Sequence, residues 1–311
     1  MNFLPHRKRL SRRGFLGTAT LAAGAAWCRA DEGEPSSIDA HVHVWTSDTV
    51  AYPLGERFGK AEMQPPSFTP DELLAQCRAV GVDRVVLIQM SFYQFDNRYL
   101  LDAIAKHPAV FRGVAVIDHK TPEVGKAMRQ LQRQGVAGFR LYANAQAVGS
   151  WIDSREIAAM WTCAAETGQA ICLLANPDAL PAIERLCGLF PRTRVVIDHC
   201  ARIGMDGTIG TTDLDNLCRL GALRQVFVKT SAFYALGRKQ APYLDLAPMI
   251  RRLRDAFGAE RLMWGSDCPY QVENGHTYAA SLSLIRDRLD FLTAEEKQWM
   301  LRKTAQTVYW I

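Results

Sequence analysis

The stretch AICLLANPDALPAIERLCGLFPRTRVVID, residues 170–198, decides how the rest of the chain is read. It opens on a short apolar run, Ala170–Leu174, and closes on a second run rich in β-branched residues, Arg194–Asp198. Both have the length and composition of buried strands. Between them, Ala179–Phe190 places apolar residues at helical spacing, with Pro181 near its start where proline is tolerated. A strand, a crossover helix and a second strand form the unit that joins parallel neighbours in a sheet.

The same alternation extends both ways along the chain. Further strands are expected at Ile38–Val44, Arg84–Met90, Arg112–Ile117, Gly138–Leu141, Gln225–Thr230 and Arg261–Gly265. Helical spacing marks Pro70–Val80, Arg98–His107, Pro122–Gln134, Ser154–Thr167, Asp213–Leu220, Leu244–Phe257 and Tyr278–Arg288. Gly81, Gly135 and Gly258 follow three of these as left-handed caps. Eight strand–helix units without a composition break predict an α/β chain folded as a single-domain (β/α)8 TIM barrel over residues 31–311. A doubly wound open sheet is the competing architecture. It usually carries a Gly-rich phosphate turn, and neither GxGxxG nor GxxxxGK(S/T) occurs. The Pro- and Gly-containing segment Thr46–Thr69 reads as an extended loop over the barrel mouth, and Thr293–Tyr309 as a final helix on the outside.

The 311 residues hold 37 Lys+Arg and 32 Asp+Glu, a formal net charge of +5 that points at first to a nucleic-acid or membrane-surface partner. Six of the basic residues are Arg7, Lys8, Arg9, Arg12, Arg13 and Arg29, in a stretch with no acid. Without residues 1–30 the chain carries a net −1, so the case for nucleic acid disappears. Arg12-Arg13-Gly14-Phe15-Leu16 and the small-residue apolar run Gly17–Trp27 read as a twin-arginine-type export signal over residues 1–30, cut after Ala30 or Ala26. The run is too short to span a bilayer of about 30 Å. A periplasmic or secreted protein is expected, handed to the twin-arginine export machinery and lacking a stable membrane anchor once mature. The seven cysteines beyond the signal form no CxxC pair, and no disulfide framework is expected.

Chemistry-bearing residues gather at the ends of the expected strands. Asp39-Ala40-His41-Val42-His43-Val44-Trp45 puts His41 and His43 on one side of the first strand and Val42 and Val44 on the other. Two imidazoles so placed can grip a divalent ion or a substrate oxygen. Strand six ends in Asp198-His199, and strand eight runs on through Ser266-Asp267-Cys268-Pro269. The C-terminal ends of barrel strands face one mouth, where active sites of this architecture lie. His41, His43, His199 and Asp267 therefore converge.

On these motifs the chain resembles the amidohydrolase superfamily, in its amidohydrolase-related branch of lactonase-like proteins. The resemblance runs from about Ile38 to Trp310. It is carried by residues 39–45, by Gly-Phe-Arg-Leu at 138–141 and by Val-Val-Ile-Asp-His at 195–199. Val-Lys-Thr-Ser at 228–231 and Met-Trp-Gly-Ser-Asp-Cys-Pro-Tyr at 263–270 complete it. The resemblance implies a (β/α)8 barrel that hydrolyses a lactone, ester or amide; relatives also include metal-dependent decarboxylases. It implies Asp267 as the base that deprotonates water and His199 as the group that orients or polarises the substrate carbonyl.

Arg140, ending strand four, offers a planar fork for a substrate carboxylate or a salt bridge to a loop. Lys229 on strand seven suits an anionic group or an inner ion pair, and Arg202 is a further cation of the same kind. In or beside the expected loops 46–69, 91–97, 143–150 and 232–242 lie Phe92, Tyr93, Tyr142 and Tyr234, whose rings can stack on substrate or close a loop core. Two departures from metal-binding relatives stand out. Strand five has no terminal histidine, and Arg140 stands where binuclear relatives carry a bridging lysine. A binuclear site is not expected. One divalent ion, Zn²⁺ by donor type, held by His41, His43 and Asp267, and a metal-free site using the same residues both fit. The reading is a hydrolase opening a sugar-acid lactone or a pyrone dicarboxylate, with a small anionic or sugar-derived substrate. A decarboxylase of an aromatic or enol acid on the same barrel, and a non-catalytic periplasmic anion or sugar binder, are the alternatives.

Overall fold

Residues 36–311 are described by the structure, a computed structural model; the expected export segment lies outside them. Eight strands alternate with helices: β1 Ser37–Val42, β2 Val82–Ile88, β3 Phe111–Ala115, β4 Val136–Ala143, β5 Ala170–Ala175, β6 Val195–Ile197, β7 Val226–Ser231 and β8 Leu262–Gly265. Each pairs in parallel with the next in sequence order, and Val42 bridges Cys268 in parallel just beyond β8. The sheet closes as a (β/α)8 barrel.

The local chemistry explains the punctuation. Thr69 and Glu72 form a capping box at the start of the helix Pro70–Arg78, and the Ser154 hydroxyl accepts from the Ile157 amide at the start of Arg155–Thr167. Gly81, Gly135 and Gly258 all adopt positive φ after their helices. Outward-facing strand residues and the helices share one large apolar core. A second, smaller core lies inside the barrel, where residues of the strands such as Ile38, Val86, Val114, Ala137, Cys172, Val196 and Met263 meet Val308 and Tyr309.

That inner core corrects one expectation. The segment Thr293–Tyr309 lies only partly on the outside of the barrel: Met300 and Leu301 pack in the outer core, and the last turns do not. Ala305, Val308 and Tyr309 are buried against the barrel interior, and Trp310 stacks with Arg84 and Arg112 at the N-terminal ends of β2 and β3. The segment plugs the barrel floor because its apolar stripe finds unfilled interior there. Two smaller corrections concern β4. It continues through Ala143, so Arg140 lies within the strand and Tyr142 is a strand residue, not a loop residue. The expected loop 143–150 contains the helix Ala145–Trp151, capped by the Asn144 side chain. The segment 46–69 is a long loop as read, its neck held by two hydrogen bonds between Trp45 and Phe68 backbones.

The closing seam needs a glycine. At Gly265 an added Cβ would stand 2.8 Å from the Cβ of His41, closer than side-chain carbons approach. Gly265→Ala is expected to push β1 and β8 apart and destabilise the fold by roughly 1–3 kcal/mol. Urea unfolding reads this as a lower midpoint at unchanged slope.

Candidate active site

Positions of the clustered histidine and aspartate side chains follow from the seam. β1 carries one more residue than β2 between paired positions, since Asp39 faces Val85 and Val42 faces Leu87. This bulge breaks strict alternation: Ile38 and Ala40 enter the inner core, and His41 and His43 also face the interior. Just past β8, the Asp267 amide donates to the His41 carbonyl at 2.8 Å and the His43 amide donates to the Cys268 carbonyl at 2.9 Å. Asp267 itself has φ +66°, a left-handed conformation that aims its carboxylate back across the mouth.

Beyond β6 the backbone does something rarer. His199, Cys200, Ala201 and Arg202 all have φ between +50° and +58°, a left-handed turn of four non-glycine residues. Each such residue is strained by about 1–2 kcal/mol. Tertiary contacts hold the turn: His199 Nδ1 shares a 2.8 Å hydrogen bond with Ser231 Oγ, and Arg202 Nη1 donates to Asn176 Oδ1 at 3.0 Å.

Around Asp267 Oδ1 the four expected residues meet. The Nε2 atoms of His43, His41 and His199 lie 3.4, 3.5 and 3.9 Å from it. Tyr234 donates to the other oxygen at 2.7 Å. Burial alone would raise the Asp267 carboxyl, but the imidazoles of His199, His43 and His41 reverse this and hold it below the usual carboxylate range. Burial lowers His199 to about 4 and His41 well below the ordinary imidazole value, with Lys229 adding to the His41 shift. At neutral pH the centre is an ionised carboxylate facing the neutral imidazoles of His199 and His41. Tyr234 is pushed up by burial and then by Asp267, so its phenol keeps the proton it donates.

Beneath this layer lies a buried charge cluster that the sequence did not reveal. Asp198 is fully buried; its Oδ2 accepts from Arg140 at 3.2 and 3.3 Å. Its Oδ1 stands 3.1 Å from Lys229 Nζ, an ion-pair distance without hydrogen-bond alignment, and 3.4 Å from His41 Nδ1. Burial opposes the Asp198 charge, yet Lys229, His41 and Arg140 outweigh it and keep the carboxyl well below its ordinary range. Lys229 thus takes the inner ion pair of its two expected roles. Arg140 is divided, with part of its fork on Asp198 and its Nη2 3.1 Å from His41 Nε2, while it also lines the cleft above.

The cleft, about 470 Å³, is lined by His43, His199 and Asp267 at its base and by Arg140, Arg202, Tyr142, Tyr234 and Tyr270 on its walls. His41 and Lys229 lie below it. Phe92 and Tyr93 are buried in the loop core and do not line it. Among the described residues, His41, His43 and Asp267 are the one group whose ligand atoms come together for a metal, all within 4.8 Å. The set fits one ion: His43 Nδ1 lies 2.9 Å from the Ile88 carbonyl, which fixes the tautomer with Nε2 free to ligate. Two imidazoles and a carboxylate form an open, zinc-type donor set. Arg140 competes with an ion for the His41 Nε2 lone pair.

Fold and site together define a (β/α)8 barrel with a metal-capable group of two histidines and a carboxylate at its C-terminal mouth. Comparison with known proteins makes this specific: the chain belongs to the amidohydrolase family, whose model matches residues 38–311. An L-fucono-1,5-lactonase of Burkholderia ambifaria is 29% identical over 248 residues, 77% of this chain and 82% of the relative. A 2-pyrone-4,6-dicarboxylate hydrolase of Comamonas testosteroni is 25% identical over 287 residues, 88% and 90% of the two chains. Among solved structures, an amidohydrolase of Burkholderia multivorans with bound zinc superposes with TM-score 0.76 at 21% identity, covering 89% of this chain and all of that one.

Tyr234 is the contact that sequence reading placed only as a loop aromatic. Tyr234→Phe is expected to lower kcat roughly ten- to a hundredfold, the rate equivalent of losing a hydrogen bond to a charged group of about 1.5–3 kcal/mol, with KM little changed. Steady-state kinetics on any lactone the protein turns over checks this.

Proposed function

We propose that this protein opens a lactone ring, of the sugar-acid or pyrone-dicarboxylate kind, by attack of a water that Asp267 deprotonates. The observation that carries the reading is the placement of Asp267: one carboxylate oxygen is held by Tyr234 and the other is turned toward three imidazoles. The two curated relatives, both enzymes acting on lactone rings by name, support it.

In the proposed reaction Asp267 Oδ1 takes the proton of a water whose oxygen attacks the lactone carbonyl carbon. His199 donates from Nε2 to the oxyanion that forms, in the tautomer whose Nδ1 accepts from the Ser231 hydroxyl. Collapse of the tetrahedral centre breaks the bond from carbonyl carbon to ring oxygen, and Asp267 returns its proton to the departing alkoxide. Arg140 and Arg202 face a substrate carboxylate from the cleft wall, and Tyr142 offers a ring face. His41, His43 and Asp267 would hold one divalent ion, Zn²⁺ by donor chemistry; when bound it supplies Lewis acidity to the water and carbonyl. Without an ion the same groups act as hydrogen-bond partners. The basic segment at 7–13 and the apolar run after it support export as a folded protein by the twin-arginine route, to the periplasm or beyond.

Asp267→Asn is expected to abolish turnover, a loss of at least about a hundredfold, while thermal unfolding stays close to wild type, because asparagine tolerates the positive φ at this position. The assay is acid release from a panel of sugar-acid lactones and pyrone dicarboxylates. A fully active variant would sink the assignment. Carbon dioxide release in place of ring opening would replace it with decarboxylation, and tight binding without turnover would replace it with a binder. For the ion, Zn²⁺ titration of chelator-treated protein should reach one equivalent per chain, and His43→Ala should remove it; elemental analysis reads both.

A further inference from the structure

The catalytic cleft is open on one side. Ser91, Arg140 and Tyr142 line it and also line a second cavity of about 1000 Å³, about twice the cleft's 470 Å³. Ligand pockets of roughly 300–1,000 Å³ hold drug-sized molecules, so the cleft alone suffices for a small monocyclic lactone. The second cavity adjoins the cleft along these shared residues and holds neither the three histidines nor Asp267.

Its lining has a consistent chemistry. Phe58 from the long first loop, Phe95 after β2, Ile117 after β3, Leu141 of β4 and Trp151 of the helix Ala145–Trp151 give it apolar walls. Phe95 is 57% exposed and Tyr142 46%, so two aromatic faces stand in water beside a concavity rather than in the core. Exposed aromatic surface at a groove is a signature of ligand contact. At the outer rim stand Arg57 and Lys120, and no carboxylate pairs with either side chain among the described residues. The one acid on the wall, Glu156, already accepts from the Ser154 hydroxyl at 2.9 Å.

We infer that this second cavity is a substrate subsite for the part of the molecule that does not react: an apolar extension, a second ring or an acyl chain of similar size, ending in an acidic group. The inference rests on the lactonase reading for the reacting half only. The extension lies along Tyr142 and Phe95, and its terminal anion meets Arg57 and Lys120. Binding energy gained this far from the reacting carbonyl serves to hold the reacting ring in place.

The test compares δ-valerolactone, its phenyl-substituted derivative and its carboxyphenyl-substituted derivative. Wild-type kcat/KM is expected to rise about tenfold or more from the parent to the phenyl compound, mostly through KM, and several-fold again with the carboxylate. Phe95→Ala should remove the first gain, and the double variant Arg57→Ala with Lys120→Ala the second, with turnover of δ-valerolactone unchanged in both. Equal kcat/KM across the series, or losses that fall on δ-valerolactone as well, overturns the subsite. Should no lactone be opened, biphenylcarboxylate, which cannot react, decides the matter by calorimetry. Binding to wild type that weakens about tenfold in both variants upholds the subsite and leaves only the lactonase reading to fall. No binding, or binding indifferent to these substitutions, overturns the subsite itself.

Discussion

Closure of the barrel between its last strand and its first is the constraint on which the rest depends. β8 is four residues long and meets β1 mainly through the turn that follows it. There the Asp267 amide bonds the His41 carbonyl, the His43 amide bonds the Cys268 carbonyl, and the Ser266 amide bonds Asp39 Oδ1 at 2.9 Å. Asp39 Oδ1 also accepts from the His41 amide at 3.0 Å, and Oδ2 accepts from the Tyr278 hydroxyl at 2.6 Å. Burial raises the Asp39 carboxyl to about 6, against the pull of those hydrogen bonds. The residues that zip the barrel shut are therefore those that carry the imidazoles and the carboxylate. Assembly of the fold and assembly of the site are one event.

Seen along its axis, the barrel interior is built in three levels. The floor is apolar, with strand side chains packed on Val308 and Tyr309. Above it lies the charge level, Asp198 between Lys229 and Arg140, with Lys229 Nζ 5.5 Å from the Tyr309 ring centroid. The level of His43, His199 and Asp267 opens to the cleft. Buried charges carry a desolvation penalty that an apolar replacement avoids, so the middle level is a poor device for stability alone. It does something else. Two cations balance Asp198 and Asp267, and Asp198 faces the His41 Nδ1 that orients that ring.

The architecture was legible because helices and strands obey different periods, and parallel strands must be separated by crossovers. The histidines on β1 and the aspartate after β8 were legible for the same reason: strand ends converge on one mouth. What was hidden depended on side chains from distant elements. Asp198 reads as the residue before a histidine; only the barrel brings β4 and β7 to it. Arg140 reads as a free fork and is instead shared between Asp198 and the cleft. The terminal segment has the pattern of an outer helix, and no local signal tells an outer groove from a barrel floor. Helix Ala145–Trp151 is short and lies in a stretch of small residues, too little pattern for a period to show.

The strained backbone after β6 was the least legible feature, and it explains the geometry of His199. Of the four residues only histidine is enriched in the left-handed region, and cysteine, alanine and arginine are not, so nothing in 199–202 announces a four-residue turn of that hand. Turning left-handed keeps Cys200 and Ala201 buried against the barrel wall and points His199 inward, toward Ser231 and Asp267. The strain is offset by contacts that exist only when β5, β6 and β7 are already side by side: Asn176 after β5, Ser231 at the end of β7, and the Lys229 carbonyl facing Cys200 Sγ at 3.6 Å. Strain of this kind persists where the surroundings over-determine it. With His199 set by the turn and Asp267 by the seam, the carboxylate and its neighbouring imidazole are fixed by two independent backbone devices rather than by rotamer choice.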